Sequence, residues 1–531
     1  MNLKILTYRL KRNENYSNAP ENQIRIIQHC CIFLQHSLNT TTSLRNIYKP
    51  VSTHELNKKR YRNFIPDLPV RREARIMDYK RRIYTLSGKP EEVIAVAFAK
   101  CSRDPRPFDV IVEELDADKS RQFHERWVVG YGHGSVAEHA IAHIALENVS
   151  ILATKVIEDT RLASYTEKST RYQIMEAGKC FRPKNLARAE EVFFETAVKT
   201  LFDAYATATE KISEMMRQRF PKGEKESDFL YENKIKSKTC DVTRYLLPAG
   251  TYTQLGTTMN SRSLEHCLSK LLSSPLQEMQ EIGKEMKEVS LKELPTLVKY
   301  AAENKFSMEY TKLLADVAKQ VPDKKSFKDV ELVRWTPDTI QRIVSAFLYR
   351  NSELPYLAVA EHVTGMKWED RTKAIETIMS QRGPHDPAPR EFEESSLTFD
   401  VLVDYGAYRD IQRHRIMNQT PQLLTTNHGY DIPEEFEQAG VKSVYTTAMD
   451  LAKRAFDAIS KDNPLEAQYV VPLGYKMRLL MTMNMREAFH FCELRSKKQG
   501  HISYRRVAQN MADEINNRYP EIGKHMRVDR S

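Results

Sequence analysis

The residues best suited to chemistry in this 531-residue chain stand at Arg413-His414-Arg415, at the end of a predicted helix. Two guanidiniums flanking an imidazole can clamp phosphate oxygens bidentately and set positive charge beside an electron-rich ring. The same tripeptide also suits a solvated basic patch capping a helix dipole, and alone it does not choose between the two. A second constellation, the pentad Thr-Met-Asn-x-Arg, occurs twice: Thr258-Met259-Asn260-Ser261-Arg262 and Thr482-Met483-Asn484-Met485-Arg486. A histidine follows each Asn by six residues (His266, His490), and a proline precedes it by twelve (Pro248, Pro472). Gly250 with Gly474 and Leu255 with Leu479 keep the same shift of 224 positions that separates Asn260 from Asn484. A constant shift over so many features marks an internal duplication.

The elements that must position these residues are written twice as well. Ala140, Ala142, Ile144 and Leu146 alternate as a half-buried strand, and Val149, Leu152, Ala153, Val156 and Ile157 continue at helical spacing. Leu397, Phe399, Val401 and Val403 alternate in the second copy, and Tyr405, Tyr408 and Ile411 carry a helix into Arg413. An amphipathic helix follows each pentad, through Leu264, Leu268, Leu271 and Leu272 and through Ala488, Phe489, Cys492 and Arg495. Glu91–Cys101 reads as the helix that opens copy one. Val330–Trp335, with Thr336-Pro337-Asp338 after it, reads as the strand and helix start that open copy two. The polar run Pro322-Asp323-Lys324-Lys325-Ser326 separates them. The domains expected are therefore 76–322 and 328–531, behind a segment 1–75 of different character. Residues 1–70 hold eleven Lys/Arg against only Glu14, Glu21, Glu55 and Asp67, which suits a disordered basic tail or an organelle transit segment.

Length favours two or three domains. The balance of 81 Lys+Arg against 71 Asp+Glu, net +10, suits anionic ligands without selecting one. Seven cysteines with no C-x-x-C pair support neither a disulfide framework nor a zinc ribbon, and a reducing compartment is the default. No carboxylate-histidine cluster shows metal spacing, so no metal is expected. No apolar run reaches the roughly 18 residues of a spanning helix, which argues against a membrane protein and for a cytoplasmic location, or an organelle if the basic segment is a transit peptide.

Laid over one another, Asp159–Tyr172 and Arg413–Thr425 resemble two partial copies of the signature R-H-R-x-x-S-x-x-x-x-S-x-R of flavin-dependent thymidylate synthases. Copy one keeps Arg161, Ser164, Ser169 and Arg171, with Asp159 and Thr160 where the first Arg and His belong. Copy two keeps Arg413, His414 and Arg415, with Asn418, Leu423 and Thr425 in place of the serines and last Arg. Gly132–His139 resembles the family's G-H-x-[ST]-x-x-E-H, and Arg244–Pro248 its R-x-x-L-P, where copy two has Gln468. At the matching distances before Arg413 stand Pro387, Pro389 and Phe392, so His133, Ser135 and Glu138 have no counterpart in that register. The pentads resemble the family's flavin-contacting N-x-R, and Arg495, eleven residues after Asn484, stands where the family places an Arg against the pyrimidine; copy one has Leu271.

The resemblance implies an α/β fold of the α+β kind: two tandem copies of a thymidylate synthase-like unit, each a mixed sheet with flanking helices. It implies FAD as cofactor, with NADPH and methylenetetrahydrofolate as co-substrates, in the reductive methylation of dUMP to dTMP. Glu167, Ser169, Arg171, Arg244, Arg413 and Arg495 are then expected at the nucleotide, with Ser169 and Arg495 catalytic. His133, Ser135, Glu138, Asn260, Arg262, Arg413, His414, Arg415, Asn484, Arg486 and His490 are expected at the flavin. Other readings stand beside these. Ser164 and Ser169 suit solvated loop hydroxyls, and His133 a tight turn. Asn260 and Asn484 suit helix N-caps, and His266 and His490 satisfied core positions.

Because the family assembles its sites between subunits of a homotetramer, a tandem chain is expected to form a homodimer. Nucleotide-holding residues of copy one would then face flavin-holding residues of copy two in composite sites, while the reciprocal sites are dead. The rivals are a catalytically inactive nucleotide- or flavin-binding protein and a basic scaffold for RNA; the absence of interleaved aromatic and basic stripes argues against the last.

Overall fold

The computed structural model describes residues 81–130, 134–321 and 328–531. The basic segment 1–75, the linker at 322–327 and His133 lie outside the described residues. Residues 84–531 form one compact unit that contains both copies.

Copy one opens with helix α1 (Glu91–Lys100) and continues through strand β1 (Ile141–Ser150), α2 (Ile151–Glu158) and β2 (Ala163–Glu167). It continues with α3 (Arg188–Arg219), α4 (Asp228–Thr243), β3 (Tyr252–Asn260), α5 (Ser261–Leu272) and α6 (Gln277–Glu293), and closes with a further helix at Lys305–Ala318. Copy two adds an edge strand, β4 (Val330–Trp335), and α7 (Thr339–Arg350). The shared grammar then repeats as β5 (Ser396–Asp404), α8 (Tyr405–Ile411), β6 (Met417–Pro421), α9 (Lys442–Ile459), β7 (Lys476–Asn484), α10 (Met485–Arg495) and α11 (Ile502–Arg518). The sheet orders are β1-β3-β2 and β4-β5-β7-β6. Every pairing is antiparallel, so the sheets expected to be mixed are antiparallel within an α+β fold. Each hydrogen-bonded pair is joined through at least one helix and not through a tight turn.

Alternation sets which face is buried. Met477, Leu479, Met481 and Met483 of β7 point into the core while their neighbours stay half-exposed, as the two-residue period of a strand requires. One apolar core spans both copies, and a smaller one lies under α1.

The copies meet about a local two-fold relation that the hydrogen bonds spell out. Pro248 pairs with Pro472 in an antiparallel bridge. Ala249 N donates to Val471 O (2.9 Å) and its image, Leu473 N, to Leu247 O (2.9 Å). Gly250 N donates to Tyr469 O (2.8 Å), mirrored by Gly474 N to Tyr245 O (3.0 Å). The repeated proline and glycine are thus the contact between copies. A Cβ on Gly250 would stand 2.8 Å from Cys180 Sγ and 3.0 Å from Tyr469 O, and one on Gly474 would stand 3.0 Å from Tyr245 Cβ.

Strand pairing also fixes which residues correspond. Ile141 faces Asn260 and Ser396 faces Asn484, whereas at the far ends Ser150 faces Tyr252 and Asp404 faces Lys476. Strand β1 therefore carries one residue more than β5, accommodated by a bulge between Glu147 and Val149, with Asn148 at φ 56°. Ser150 and Asp404, both N-caps, are counterparts: Ser150 Oγ donates to Glu278, and Ser503 Oγ donates to Asp404. The hydroxyl and carboxylate have changed places between copies and kept their bond.

Candidate functional site

Arg171 and Arg244 of copy one and Arg413 of copy two line a single cavity, together with Glu167, Lys168, Ser169, Thr170, Arg409 and Asp410. The residues that the sequence divides between the copies thus face one another within one chain. Arg409 to Arg413 come from helix α8 and the turn after it, which carries them against the loop that follows β2. Arg244 enters at the end of α4, where a short 3-10 turn (Arg244–Leu246) delivers the chain to the Pro248 bridge.

Two carboxylates balance the arginines. Asp241 binds Arg171 through Nε (2.6 Å) and Nη2 (3.1 Å). Arg171 also donates to Tyr504 Oη (3.1 Å) and Gln499 O (3.3 Å), both of copy two. Asp410 lies 3.8 Å from Arg244 Nη1. Burial would raise the Asp410 carboxyl, but Arg244, Arg413, Arg495 and Arg171 together hold it below its ordinary range. Arg495 stands 5.4 Å above the Tyr504 ring, and burial lowers its pKa against the opposing charge of Asp410.

Beneath this cavity four buried charges cross the boundary between copies. Arg409 Nη2 pairs with Glu167 Oε1 (2.8 Å), and its Nη1 donates to Thr170 Oγ1 (2.9 Å). Lys155, the counterpart of Arg409, sits 3.6 Å from Glu167 and in contact with Glu158. Burial pushes the Glu167 carboxyl up, yet Arg409 and Lys155 outweigh it and bring it down to about 2. The loop carrying Ser169 and Arg171 is therefore anchored from copy two.

A hydrogen-bonded chain leads from the arginines to a second pocket. Arg495 Nε donates to His414 Nε2 (2.9 Å), and His414 Nδ1 lies 2.8 Å from Glu487 Oε1. A guanidinium can only donate, so Nε2 is the acceptor and the ring proton sits on Nδ1, donated to Glu487. Burial lowers the His414 pKa, Glu487 opposes that, and Arg495 adds to it. Glu487 and His490 line a cavity of about 450 Å³ with Arg382, His385, Asn484 and Arg486. Its size falls within the usual range for small-molecule sites, roughly 300–1,000 Å³. A third cavity, about 670 Å³ over the copy-one sheet, shares Glu167, Lys168 and Ser169 with the arginine cluster.

Several sequence expectations take a different form. Asn260 and Asn484 are N-caps, accepting from Ser263 N and Glu487 N at 2.8 Å each. His266 and His490 are exposed, not core positions, because both pentad helices turn that face outward. Ser169 Oγ accepts from Arg171 N (3.2 Å), a local turn bond, while still lining the cavity; Ser164 is exposed. Arg415 leaves the pocket altogether, donating to Ala163 O and lying 5.6 Å from the Tyr165 ring in copy one. Its counterpart Arg161 reaches Asn418 of copy two in return. Ser135 is exposed on a short turn of helix, Gly134–Ala137.

The bulge at Asn148 corrects the register read from sequence. Upstream of it the counterpart of Glu138 is Glu393, one residue beyond Phe392. Glu138 pairs with Arg262 (2.5 Å) and Glu393 with Arg486 (2.9 Å), so both copies retain a glutamate on the pentad arginine. The fold also assembles a carboxylate-histidine group that the sequence hides, His414, Glu487 and His490, with ligand atoms within 4.8 Å of one another. Both His414 nitrogens are already engaged there, and the Arg495 guanidinium beside it disfavours a further cation. Tyr504, Asp241, Asp410 and Arg409 were not legible as site residues. Arg409 and Asp410 could have been found from their place one turn before Arg413.

The family model for the thymidylate synthase complementing protein matches residues 82–296 and 331–521, and the chain belongs to that family. A UPF0159 protein of Chlamydia pneumoniae is 32% identical over 473 residues, covering 82% of this chain and 89% of its own. A UPF0159 protein of Thermoplasma acidophilum is 27% identical over 460 residues, 79% of this chain and 91% of its own. A flavin-dependent thymidylate synthase of Saccharolobus solfataricus is 31% identical over 227 residues, 42% of this chain and 75% of its own. Among solved structures, a UMP/dUMP methylase from Streptomyces cacaoi bound with 5-Br dUMP aligns with TM-score 0.31 and 18% identity, over 37% of this chain and 93% of that one. Among the described residues no helix is long and apolar enough to cross a membrane.

Proposed function

We propose that this protein is a flavin-dependent thymidylate synthase-like enzyme that methylates dUMP, or a close pyrimidine relative, at a composite site between its two copies. The observation that carries the reading is the convergence of Arg171 and Arg244 from copy one with Arg413 from copy two on one cavity. Their donors suit a phosphate, which guanidiniums recognise bidentately. The adjoining cleft over the copy-one sheet, bordered by Ser169 and Tyr172, has room for the nucleoside. Arg495, backed by His414 and Glu487, is the group suited to stabilising charge on the uracil oxygens.

The pocket lined by Asn484, Arg486, Glu487 and His490 fits a flavin nucleotide: it is roomy, mixed in polarity, and offers a guanidinium held by Glu393. Asn484 caps α10 with its carbonyl oxygen, which leaves its amide N–H groups to donate. An FAD held there and reduced by NADPH would provide the hydride that converts the methylene group donated by methylenetetrahydrofolate into the methyl group. The chain's own part is to hold the nucleotide, set the His414 tautomer and fix the Arg171 loop. A homodimer of two-copy chains, in the cytoplasm, is the assembly we expect.

A second reading, a nucleotide- and flavin-binding protein without turnover, is favoured by the fact that neither copy carries the whole signature. The purified protein should retain flavin, dUMP should perturb its absorbance, and NADPH oxidation should depend on dUMP and methylenetetrahydrofolate. A coloured, dUMP-responsive protein without such oxidation points to the second reading. A colourless protein indifferent to dUMP refutes both.

A further inference from the structure

The arginine cluster has no space for an anion in this conformation. Its cavity measures about 20 Å³, enough for one water and too small for a phosphate group. The negative charge on its wall belongs to the protein: Glu167, paired with Arg409, and Asp410 both line it, and Asp410 lies 3.8 Å from Arg244 and interacts electrostatically with Arg244, Arg413, Arg495 and Arg171. Yet the arginines are not satisfied by it. Arg244 is 2% exposed, and among the described residues its Nε and Nη2 find no hydrogen-bond acceptor, a costly state for buried charged donors. One carboxylate stands where a phosphate, with more oxygens and more charge, would use donors that Asp410 leaves idle.

The duplication supplies an internal comparison. Counted from the paired N-caps Ser150 and Asp404, the counterpart of Asp410 is Val156; counted along the pentad shift, that of Asp241 is Leu465. The helix of copy one accepts an apolar residue at the position of Asp410, so that acid is not required by its helix; in place of Asp241, copy two has Leu465 in a turn. Both acids occur only where the arginines converge. Asp410 also lies in the last turn of α8, its side chain 13% exposed, ahead of the exposed Arg413.

We propose that Asp410 is an internal counter-ion holding the anion position of this cluster, so that a phosphorylated ligand binds by displacing its carboxylate from the arginines. The proposal rests on the reading of the cluster as a nucleotide-phosphate site. It makes Asp410 a determinant of affinity and of ligand charge: a phosphate ester displaces it, whereas an uncharged nucleoside gains nothing by doing so. Removing one like charge within about 5 Å of a bound phosphate is worth ten-fold or more in affinity at the screening of a partly buried site.

The test compares the full-length protein with Asp410→Asn by calorimetric titration with dUMP, deoxyuridine and inorganic phosphate, and by thermal melting with and without phosphate. Asp410→Asn should bind dUMP and phosphate about ten-fold tighter or better, with deoxyuridine binding unchanged. Without ligand it should melt lower, because four arginines lose a counter-ion, and phosphate should raise its melting temperature more than it raises that of the wild type. That phosphate response keeps the test decisive if the variant is weakened. If the wild type binds dUMP and Asp410→Asn binds it equally or more weakly, and phosphate does not stabilise the variant further, Asp410 is a fixed strut and the proposal fails while the nucleotide reading stands. If Asp410→Asn gains phosphate affinity but neither protein binds dUMP, the nucleotide reading fails and the counter-ion stands. Absence of any anion binding in both proteins overturns both.

Discussion

Replacing Arg409 by Met should destabilise the protein by about 3–5 kcal/mol at neutral pH, the usual cost of stranding a buried charge by removing its partner. Glu167 is the stranded group. Its carboxyl is buried, and Arg409 with Lys155 brings it from 4.5 down to about 2. That shift corresponds to about 3 kcal/mol of stability, which agrees with the range for buried pairs. The sign follows from the direction. In the wild type this contribution is fully present above the unfolded value of 4.5 and is lost as pH falls toward 2. In Arg409→Met, with burial dominant and Lys155 3.6 Å away, the folded carboxyl titrates above its unfolded value. The deficit should therefore shrink on acidification, being largest near pH 7 and smaller by about pH 5.5. Urea unfolding followed by circular dichroism, at both pH values, reads this directly. Adding Glu167→Gln to Arg409→Met removes the stranded charge and should restore at least half of the loss. A deficit under about 1 kcal/mol, or a double variant no better than the single one, would show that these charges are solvated and that the network does not anchor the loop.

Gly250→Ala and Gly474→Ala should each lower stability by roughly 1–3 kcal/mol, because the new methyl meets backbone or a packed side chain at the contact between copies; thermal melting tests this, and an unchanged midpoint for Gly250→Ala would refute the close approach. Asn260→Ala and Asn484→Ala should each cost about 1 kcal/mol as lost N-caps. Only Asn484→Ala should also lower flavin content after purification, since Asn484 alone of the two lines the candidate pocket.

The duplication, the strand-helix order and the convergence of Arg171 and Arg244 on Arg413 were all legible in the sequence, because each is written in local spacing or in complementary losses between the copies. The pentad was legible as a junction for the same reason: an Asn between a two-residue and a 3.6-residue period is a natural N-cap. What was not legible depends on register or on contacts across the chain. One bulged residue, Asn148, displaced the upstream alignment and hid Glu393 behind Phe392. Tyr504 meets Arg171 across 333 positions, and Asp241 meets it across 70; nothing in local periodicity links them. Arg415 kept its place in the signature and still turned away, since the tandem arrangement gave its guanidinium a carbonyl and a ring in the other copy.

The most direct test of the composite site is the stoichiometry of dUMP binding per chain, measured by calorimetric titration of the flavin-loaded wild type, Arg171→Met and Arg413→Met. A composite site predicts one dUMP per chain in the wild type and loss of that single event in either variant, although the two residues lie in different copies. Two events per chain in the wild type, with one surviving in each variant, would show that the copies carry separate sites and would contradict the account.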